Sequence, residues 1–329
     1  MAQVIAIDRA RGEPARCRAL TAGGRPCRNV ARENGFCAVH QPPAPADRIG
    51  PFDAEGVREF LDMLRRRAIG DYSVDEFGFD AELTERFLLP LIRPVYQLYW
   101  RTEWLGLEHV PAKGPALLVG NHAGTVPVDA LVVKFGVLGE HPAHRHVRLL
   151  AAELALRMPI VAPLTRKMGN TLACADDALR LLRSGELVGV FPEGYKGVGK
   201  GWKNRYRLQR FGRGGFVEIA LRAGVPIVPV AIVGSEEIYP MIYNAKTVAR
   251  LARFHYFPIT PTFPLLGPLG LIPLPSKWIV EFGKPIPTDH YDDDAWQDPM
   301  LVFELTDNIR DTIQGMLQAN LPRRRSAFR

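Results

Sequence analysis

The spacing of apolar positions changes near residue 100. Before it, Asp53–Arg67 and Leu83–Trp100 carry apolar residues at helical spacing, which predicts two helices. Beyond it, short apolar runs bounded by turn residues predict strands over Thr102–Leu105, Ala116–Val119, Val147–Ala151, Leu187–Phe191, Pro226–Val233 and Trp278–Phe282. The helical patterns are Asp129–Phe135, Asp176–Leu182, Gly215–Ala223 and a last helix, Met300–Leu317. Such alternation predicts an α/β fold with a mainly parallel mixed sheet flanked by helices.

The same pattern divides the chain into four regions. A flexible lead and a small Cys/His module occupy 1–40, and a proline-rich linker follows at 41–50. We expect an N-terminal helical region at 51–100. The α/β domain, with the C-terminal helix and a basic tail around Arg323, then covers 101–329.

Composition narrows the class of protein. With 329 residues and 47% hydrophobic composition the chain can bury a full core. The formal net charge of +7 suits anionic lipid surfaces, CoA-type phosphates or nucleic acid. Three of the four cysteines precede residue 40 and no apolar signal segment opens the chain, which favours a reducing compartment without export. We therefore expect a cytoplasmic protein, peripheral on the inner face of the membrane.

Candidate chemistry begins at the end of the second predicted strand. Asn121 and His122 follow Ala116–Val119 directly, and Asp129 lies seven positions after the histidine. The carboxyl end of a strand is the usual place for a site in an α/β sheet. Histidine is suited to taking a proton near neutral pH, and a carboxylate can orient it. A histidine that merely satisfies a turn is the alternative for this stretch alone.

Three further segments belong to the same edge. Glu193 and Gly194 close the strand Leu187–Phe191, and Pro229 inside the next apolar strand indicates an edge strand or a bulge. A basic stretch that begins at Lys196 follows the glutamate. A base, an acidic partner and a cationic groove suit transfer of an acyl group from a phosphate-bearing donor to a hydroxyl.

At these residues the sequence resembles the glycerolipid acyltransferase superfamily, in particular the lysophosphatidate acyltransferases. The Asn-His…Asp block, Phe191-Pro-Glu-Gly194 and Val225-Pro-Ile-Val-Pro-Val230 follow in that family's order. The resemblance implies transfer from acyl-CoA or acyl carrier protein to a lipid hydroxyl, with no catalytic cofactor. It implies that His122 is the base and Asp129 its orienting partner. Asn121, Glu193, Gly194, Lys196 and Pro229 become candidate substrate-binding residues.

The chain departs from that family's pattern at three places. Six residues separate His122 from Asp129 where the family has four, so the turn between them must be wider. The segment Gly169–Ala175 offers no cation, and Tyr195-Lys196 replaces the Thr-Arg that usually follows the glycine. Lysine lacks the bidentate fork of arginine, so an acceptor without phosphate becomes an option.

An uncharged segment, 256–276, contains six prolines and therefore cannot be a spanning helix. An exposed apolar patch of this size would mark an interaction site. A loop folded back on the core is the alternative. The basic tail fits an anionic surface, so the expected partners include a membrane surface.

Near the N-terminus, Cys17, Cys27, Cys37 and His40 form the pattern C-x9-C-x9-C-x2-H. It resembles the Cys3His clip of small zinc-binding modules, among them the plant WRC type, and predicts a structural zinc. Three free thiols in a basic arm are the alternative. The arginines of this arm could contact nucleic acid, but a solvated basic arm is the commoner case.

A second function stays open: a non-catalytic lipid-binding or regulatory protein whose N-terminal zinc module binds nucleic acid or protein. Gly194–Lys200 fits G-x4-G-K, but Gly201 replaces the Ser/Thr that would ligate Mg²⁺, which argues against a P-loop. The sequence pattern does not indicate an oligomeric state.

Overall fold

The structure is a computed structural model that describes residues 54–123, 125–159, 161–251, 255–324 and 326–328. The described residues belong to one compact unit, 50–329. The predicted zinc ligands Cys17, Cys27, Cys37 and His40 lie outside them, as does the linker at 41–50, so these expectations stay predictions. Within the described ranges, no group of three or more His, Cys, Asp or Glu side chains could hold a metal ion.

Seven strands form one mixed sheet in the order β1-β9-β6-β2-β5-β3-β4. The strands are β1 Glu103–Leu105, β2 Ala116–Gly120, β3 Val147–Ala151, β4 Thr171–Leu172, β5 Leu187–Val190, β6 Ile227–Val233 and β9 Ile279–Phe282, while β7 Tyr243–Asn244 and β8 Pro258–Ile259 pair separately. All neighbours in the large sheet are parallel except β6 and β9. This confirms the predicted fold class and all six predicted strands. The two-residue strands escaped prediction because two residues carry no alternation.

Helices flank the sheet on both faces. They are α1 Ala54–Ala68, α2 (a continuous helical segment, 81–99), α3 Val128–Glu140, α4 Glu153–Arg157, α5 Val161–Lys167, α6 Ala175–Arg183, α7 Tyr195–Val198, α8 Gly215–Ala223, α9 Lys246–Leu251 and α10 Pro299–Asn320. Short 3₁₀ turns lie at Leu107–His109, Trp202–Asn204, Ser235–Glu237, Gly267–Leu271 and Ala295–Gln297. None of the helices in the described residues is long and apolar enough to cross a membrane.

The helical segment α2 alternates α and π turns. Its pieces are Ala81–Leu83 and Leu89–Pro94 in α geometry, and Thr84–Leu88 and Val95–Tyr99 in π geometry. Pro90 and Pro94 each remove a backbone donor, and the wide π turns lie directly beside them. The helix predicted over Leu83–Trp100 therefore forms in spite of its prolines.

The core lies between the sheet and the helices α6, α8 and α10. Alternate residues of β2, Leu117 and Val119, belong to this core cluster, whereas Leu118 is equally buried on the other side. On that second face α3 packs against β3 and against α2. Both faces of the sheet are covered, so the free surface for chemistry is its carboxyl edge.

Candidate active site

His122 and Asp129 meet where β2 ends and α3 begins. His122 Nδ1 lies 2.9 Å from Oδ2 of Asp129. An ionised carboxylate has no proton to donate, so Nδ1 is the donor and Nε2 keeps its lone pair. Nε2 makes no hydrogen bond to another residue that the structure describes. The imidazole is 14% exposed, so it can meet a substrate.

Asp129 is itself held by the backbone around it. Its side chain is fully buried, Oδ2 also accepts from the N–H of Ala123 at 2.7 Å, and Oδ1 accepts from the N–H of Ala130 at 2.8 Å. These bonds fix the carboxylate before any substrate arrives. The pair therefore forms across the wider spacing.

The wider turn between the two residues is anchored at Thr125. This residue has a φ of 64°, a left-handed conformation that β-branched residues rarely adopt. Its N–H donates to the carbonyl of Val198 at 3.2 Å and its Oγ1 to that of Tyr239 at 3.1 Å. The hydroxyl of Tyr256 donates to the Thr125 carbonyl. Burial, together with the charge of Asp129, raises the pKa of Tyr256 to about 12, so this donor keeps its proton at neutral pH.

Asn121 has a different task from the predicted contact with substrate. It is fully buried, its Nδ2 donates to the carbonyl of Ile232 at 3.0 Å, and its Oδ1 accepts from the N–H of Ile232 at 2.7 Å. The amide thus continues the pairing of β2 with β6 by one step. It fixes the direction in which the chain leaves the sheet toward His122, and both of its polar atoms are occupied.

Glu193 also faces the protein, although we expected it to contact the acceptor. Its Oε1 accepts from the N–H of His122 at 2.9 Å, and its Oε2 accepts from the N–H of Gln209 at 2.6 Å. The side chain is fully buried. In this position Glu193 holds the backbone of His122.

Lys200 lies between two buried carboxylates. Its Nζ is 3.3 Å from Oε2 of Glu193 and 3.1 Å from Oε1 of Glu236, which also accepts from the N–H of Tyr206. Burial raises the pKa of Glu236 to about 7, against the opposing effect of Lys200. For Lys200 burial lowers the pKa, but the charges of Glu236 and Glu193 outweigh it and raise the pKa. One buried cation therefore ties together the loops that follow β5 and β6.

Two glycines shape the loop after β5. Gly194 has φ 54° and ψ −143°, a region that is essentially reserved for glycine. A Cβ on Gly197 would lie 2.4 Å from the carbonyl oxygen of His122 and 2.7 Å from Cβ of Glu193. Lys196, between them, is exposed. Its predicted contact with substrate stays a prediction.

Pro229 lies in the interior of the sheet. It is paired with Val119 of β2, and its carbonyl accepts from the N–H of Gly283 at 2.8 Å. The edge alternative is therefore wrong. Val230 pairs with Phe282 but Ile227 bridges to Ile286, so one extra residue on the β9 side makes a bulge beside the proline. Pro229 is buried, and its partner Val119 lies three residues before His122.

Arg148, a cation that contacts the segment Gly169–Ala175, is already neutralised by carboxylates. Arg148 donates from Nε to the carbonyl of Gly169 at 2.7 Å and pairs with Asp75 and Glu186 at 2.7 and 3.2 Å. Its side chain is 2% exposed. Two carboxylates therefore balance the charge of this buried arginine.

Several residues of this site escaped sequence reasoning: Thr125, Lys200, Tyr206, Glu236, Tyr239 and Tyr256. For Glu236 a signal existed, because it follows the apolar strand β6 in the way that His122 follows β2. The sequence pattern places Lys200 in a basic stretch that suits a cationic groove. The burial of this lysine depends on two carboxylates, one of which, Glu236, is distant in the sequence.

Two family models match the chain. The model described as Acyltransferase matches residues 101–233, which include His122, Asp129 and Glu193. A second model, a domain of unknown function (DUF5763), matches residues 15–46, the stretch that carries the Cys/His pattern.

Three proteins of known sequence are similar to this chain. A Mycobacterium tuberculosis protein named only as uncharacterized is 54% identical over 275 residues, covering 84% of this chain and 77% of its own. A bovine "DGAT1/2-independent enzyme synthesizing storage lipids" is 23% identical over 64% of this chain and 58% of its own. The 1-acyl-sn-glycerol-3-phosphate acyltransferase of Borreliella burgdorferi is 24% identical over 43% of this chain and 55% of its own.

The site combines the carboxyl edge of an α/β sheet with a bonded histidine–aspartate pair, an arrangement suited to proton transfer. The chain belongs to the glycerolipid acyltransferase superfamily, in one family with the mycobacterial protein.

Proposed function

We propose that the protein transfers a fatty acyl group from acyl-CoA or acyl carrier protein to a lipid hydroxyl, with His122 as general base. The observation that carries this proposal is the bond from His122 Nδ1 to Asp129, which leaves Nε2 as a partly exposed acceptor at the sheet edge. The family match supports acyl transfer as the reaction class.

In the proposed reaction, Nε2 takes the proton of the acceptor hydroxyl while its oxygen attacks the thioester carbonyl. A C–O bond forms, the C–S bond breaks, and the imidazolium returns the proton to the departing thiolate. Asp129 keeps the ring oriented and stabilises its charged form. A positioned base contributes about 10² to 10⁴ in rate, so orientation of the two substrates must supply much of the rest.

We infer further that the acceptor is a lipid alcohol without phosphate. Lys200 is shared between Glu193 and Glu236, and Arg148 is shared between Asp75 and Glu186, so neither of these buried cations has charge left for a phosphate. The acidic pair beside Lys200 would also repel a dianion. The bovine relative, whose name refers to storage lipids, is consistent with this inference.

The test is acyl transfer by the purified full-length chain with radiolabelled acyl-CoA. Monoacylglycerol, diacylglycerol and lysophosphatidate are offered separately, and the lipid products are analysed. We expect product with the uncharged acceptors and little with lysophosphatidate. His122→Ala should lower the rate by about 10² to 10⁴ with an unchanged fold.

His290→Ala is the matched control, because His290 is an exposed histidine whose ring contacts only that of Tyr291 among the ring pairs of the described residues. Full activity in His122→Ala would contradict the mechanism. Preference for lysophosphatidate would contradict the acceptor inference alone. If neither CoA nor acyl carrier protein is released with any acceptor, the non-catalytic lipid-binding role becomes the better explanation.

A further inference from the structure

The uncharged segment 256–276, here called the apolar lobe, exposes its large side chains. Five of them are more than half exposed: Leu265, Leu266, Leu269, Leu271 and Ile272. Leu265 is 84% exposed. A loop folded back on the core, one of the two alternatives from the sequence, is therefore excluded for these residues. Adjacent apolar side chains exposed to this extent mark an interaction surface.

Many backbone donors of the apolar lobe bond within it or are absent. The six prolines have no N–H. The other donors with partners inside the lobe include the N–H groups of Phe263, Leu266, Gly267, Leu269 and Ile272, at 2.8 to 3.2 Å. A segment that leaves water must satisfy these groups itself, because hydrocarbon offers no partner.

Carbonyls near the C-terminal end of the lobe accept from side chains of the body of the protein. Tyr239 Oη donates to the carbonyl of Leu271 at 2.5 Å, and Tyr99 Oη to that of Pro273 at 2.6 Å. Trp100 Nε1 donates to the carbonyl of Leu274 at 3.2 Å. Aromatic side chains with a polar end are typical of the boundary between water and lipid.

A direct contact joins the apolar lobe to the site. Tyr239 donates its hydroxyl to the lobe, and its backbone carbonyl accepts from Oγ1 of Thr125, three residues after His122. Tyr256, the first residue of the lobe, donates to the carbonyl of Thr125. A molecule that reaches the lobe therefore lies beside the loop that carries the candidate base.

Basic residues lie at the base of the lobe. Arg101 donates from Nη2 to the carbonyl of Pro275 at 3.4 Å, and Nζ of Lys277 donates to the carbonyl of Arg101 at 2.7 Å. Arg323 lies 3.9 Å from Glu103, which is also 3.8 Å from Lys277. Two cations lie near this one carboxylate and Arg101 adds a third positive charge beside them, so a net positive charge remains that complements an anionic lipid surface.

We propose that the apolar lobe inserts its tip, 265–272, into the interface of an anionic lipid bilayer and so holds the acyl-transfer site at the membrane. The uncharged tip and the backbone bonds made within the lobe favour lipid over a protein partner, whose surface would supply hydrogen bonds. Delivery of the acceptor from the bilayer to His122 rests on the proposed function, whereas insertion does not.

The test is co-sedimentation of the full-length chain with vesicles of phosphatidylcholine alone or mixed with phosphatidylglycerol. The double variant Leu265→Asp, Leu269→Asp should bind at least about tenfold more weakly, because two inserted leucines are lost and two charges are added. The wild type should prefer the vesicles that contain phosphatidylglycerol, and Lys277→Gln should reduce this preference.

The matched control is Met300→Asp, Phe303→Asp, which adds the same two charges at exposed apolar positions of α10 and should leave vesicle binding unchanged. Transfer to a short-chain monoacylglycerol dispersed in water should be the same in both double variants and the wild type, which shows that the fold is intact.

Equal vesicle binding by the wild type and the lobe variant would overturn the proposal. A second result would also overturn it: the wild type does not bind vesicles but forms dimers, and the lobe variant does not dimerise. The exposed surface would then join two copies of the chain. Vesicle binding by the lobe without acyl transfer to any acceptor would instead contradict the proposed function and leave insertion supported.

Discussion

Two charged clusters lie at the same edge of the sheet, and they differ in how fully their polar atoms are used. In the first, His122 and Asp129 form one strong bond and leave Nε2 of the histidine without a partner among the described residues. In the second, Lys200 is buried between Glu193 and Glu236, and backbone N–H groups occupy the carboxylates as well.

This difference separates chemistry from support. A proton acceptor must have a free lone pair that a substrate can approach, and only the first cluster offers one. The second cluster joins the ends of three strands, because Glu193 bonds the N–H of His122 and Lys200 reaches Glu236 beyond β6. We therefore interpret Glu193, Lys200 and Glu236 as the frame that positions His122.

The largest effect is expected in the first cluster. Asp129→Asn places an amide beside His122 Nδ1 and favours the tautomer that carries its proton on Nε2, where no proton can be accepted. The rate of acyl transfer should fall by about 10² to 10⁴. Steady-state kinetics with acyl-CoA measure it.

Asp311→Asn is the control, because that carboxylate pairs with Arg310 on the surface, where ion pairs contribute little. A rate within about twofold of wild type for Asp129→Asn would show that orientation by the carboxylate is dispensable.

The next largest effect is expected in the second cluster, where a substitution should change the free energy of unfolding more than the rate of acyl transfer. Lys200→Met leaves two buried carboxylates without a counter-charge and should reduce the free energy of unfolding by about 3–5 kcal/mol. Urea denaturation measures the loss, and adding Glu236→Gln to the variant should restore part of it.

Lys196→Met serves as the matched control, since it removes an exposed lysine of the same loop and should change stability by at most about 0.5 kcal/mol. Equal stability of the two lysine variants would show that the buried Lys200 contributes no more to the free energy of unfolding than an exposed lysine. The second cluster would then have no supporting role.

A smaller effect is expected where the two clusters touch. Gly197→Ala would bring a Cβ to 2.4 Å from the carbonyl oxygen of His122, so the backbone must shift. We expect a loss of about 1–3 kcal/mol in stability together with a lower rate.

For comparison, a Cβ on Gly215 would meet no atom within 4 Å. Gly215→Ala in α8 should therefore be neutral or stabilise the protein by up to about 1 kcal/mol. Unchanged activity in Gly197→Ala would mean that the close approach does not position His122.

The smallest effect, counted per pH unit, is the pH dependence of the free energy of unfolding. Burial raises the pKa of Glu236 to about 7 from an ordinary value of 4.5, so the folded state holds this proton more tightly than the unfolded state between those values. Its contribution to stability is present below pH 4.5 and is lost as the pH rises through about 7.

Glu236→Gln should remove this loss, which amounts to about 1 kcal/mol per pH unit. Thermal unfolding of wild type and variant from pH 5 to pH 8 measures the difference. Parallel curves would show that Glu236 keeps its ordinary proton affinity in the folded state.

The fold was predictable from local patterns. Each of the six predicted strands is an apolar run long enough to be recognised, and the first and last predicted helices agree with α1 and α10 to within a few residues. Prediction was less successful where a side chain's task depends on distant partners. Asn121 looked like a substrate contact, but its amide pairs with Ile232, a residue 111 positions away.

The basic tail shows the same limit. Arg324 belongs to a run that suggested an anionic surface, yet its guanidinium is 7% exposed and pairs with Glu237 at 2.7 Å. Arg323, its neighbour, is about half exposed. Charge alone does not tell whether an arginine serves a surface or a buried partner.

By itself, the sequence determined the class of fold, the superfamily and the residue types at the sheet edge, because apolar period and short motifs are local properties of the chain. Only the tertiary structure decided three further points. It brought Asp129 to His122 through a strained turn at Thr125, and it placed Lys200 in the interior. It also turned the leucines of the apolar lobe outward. Each of these depends on contacts between segments that are distant in the chain, and such contacts leave no periodic signal in the sequence.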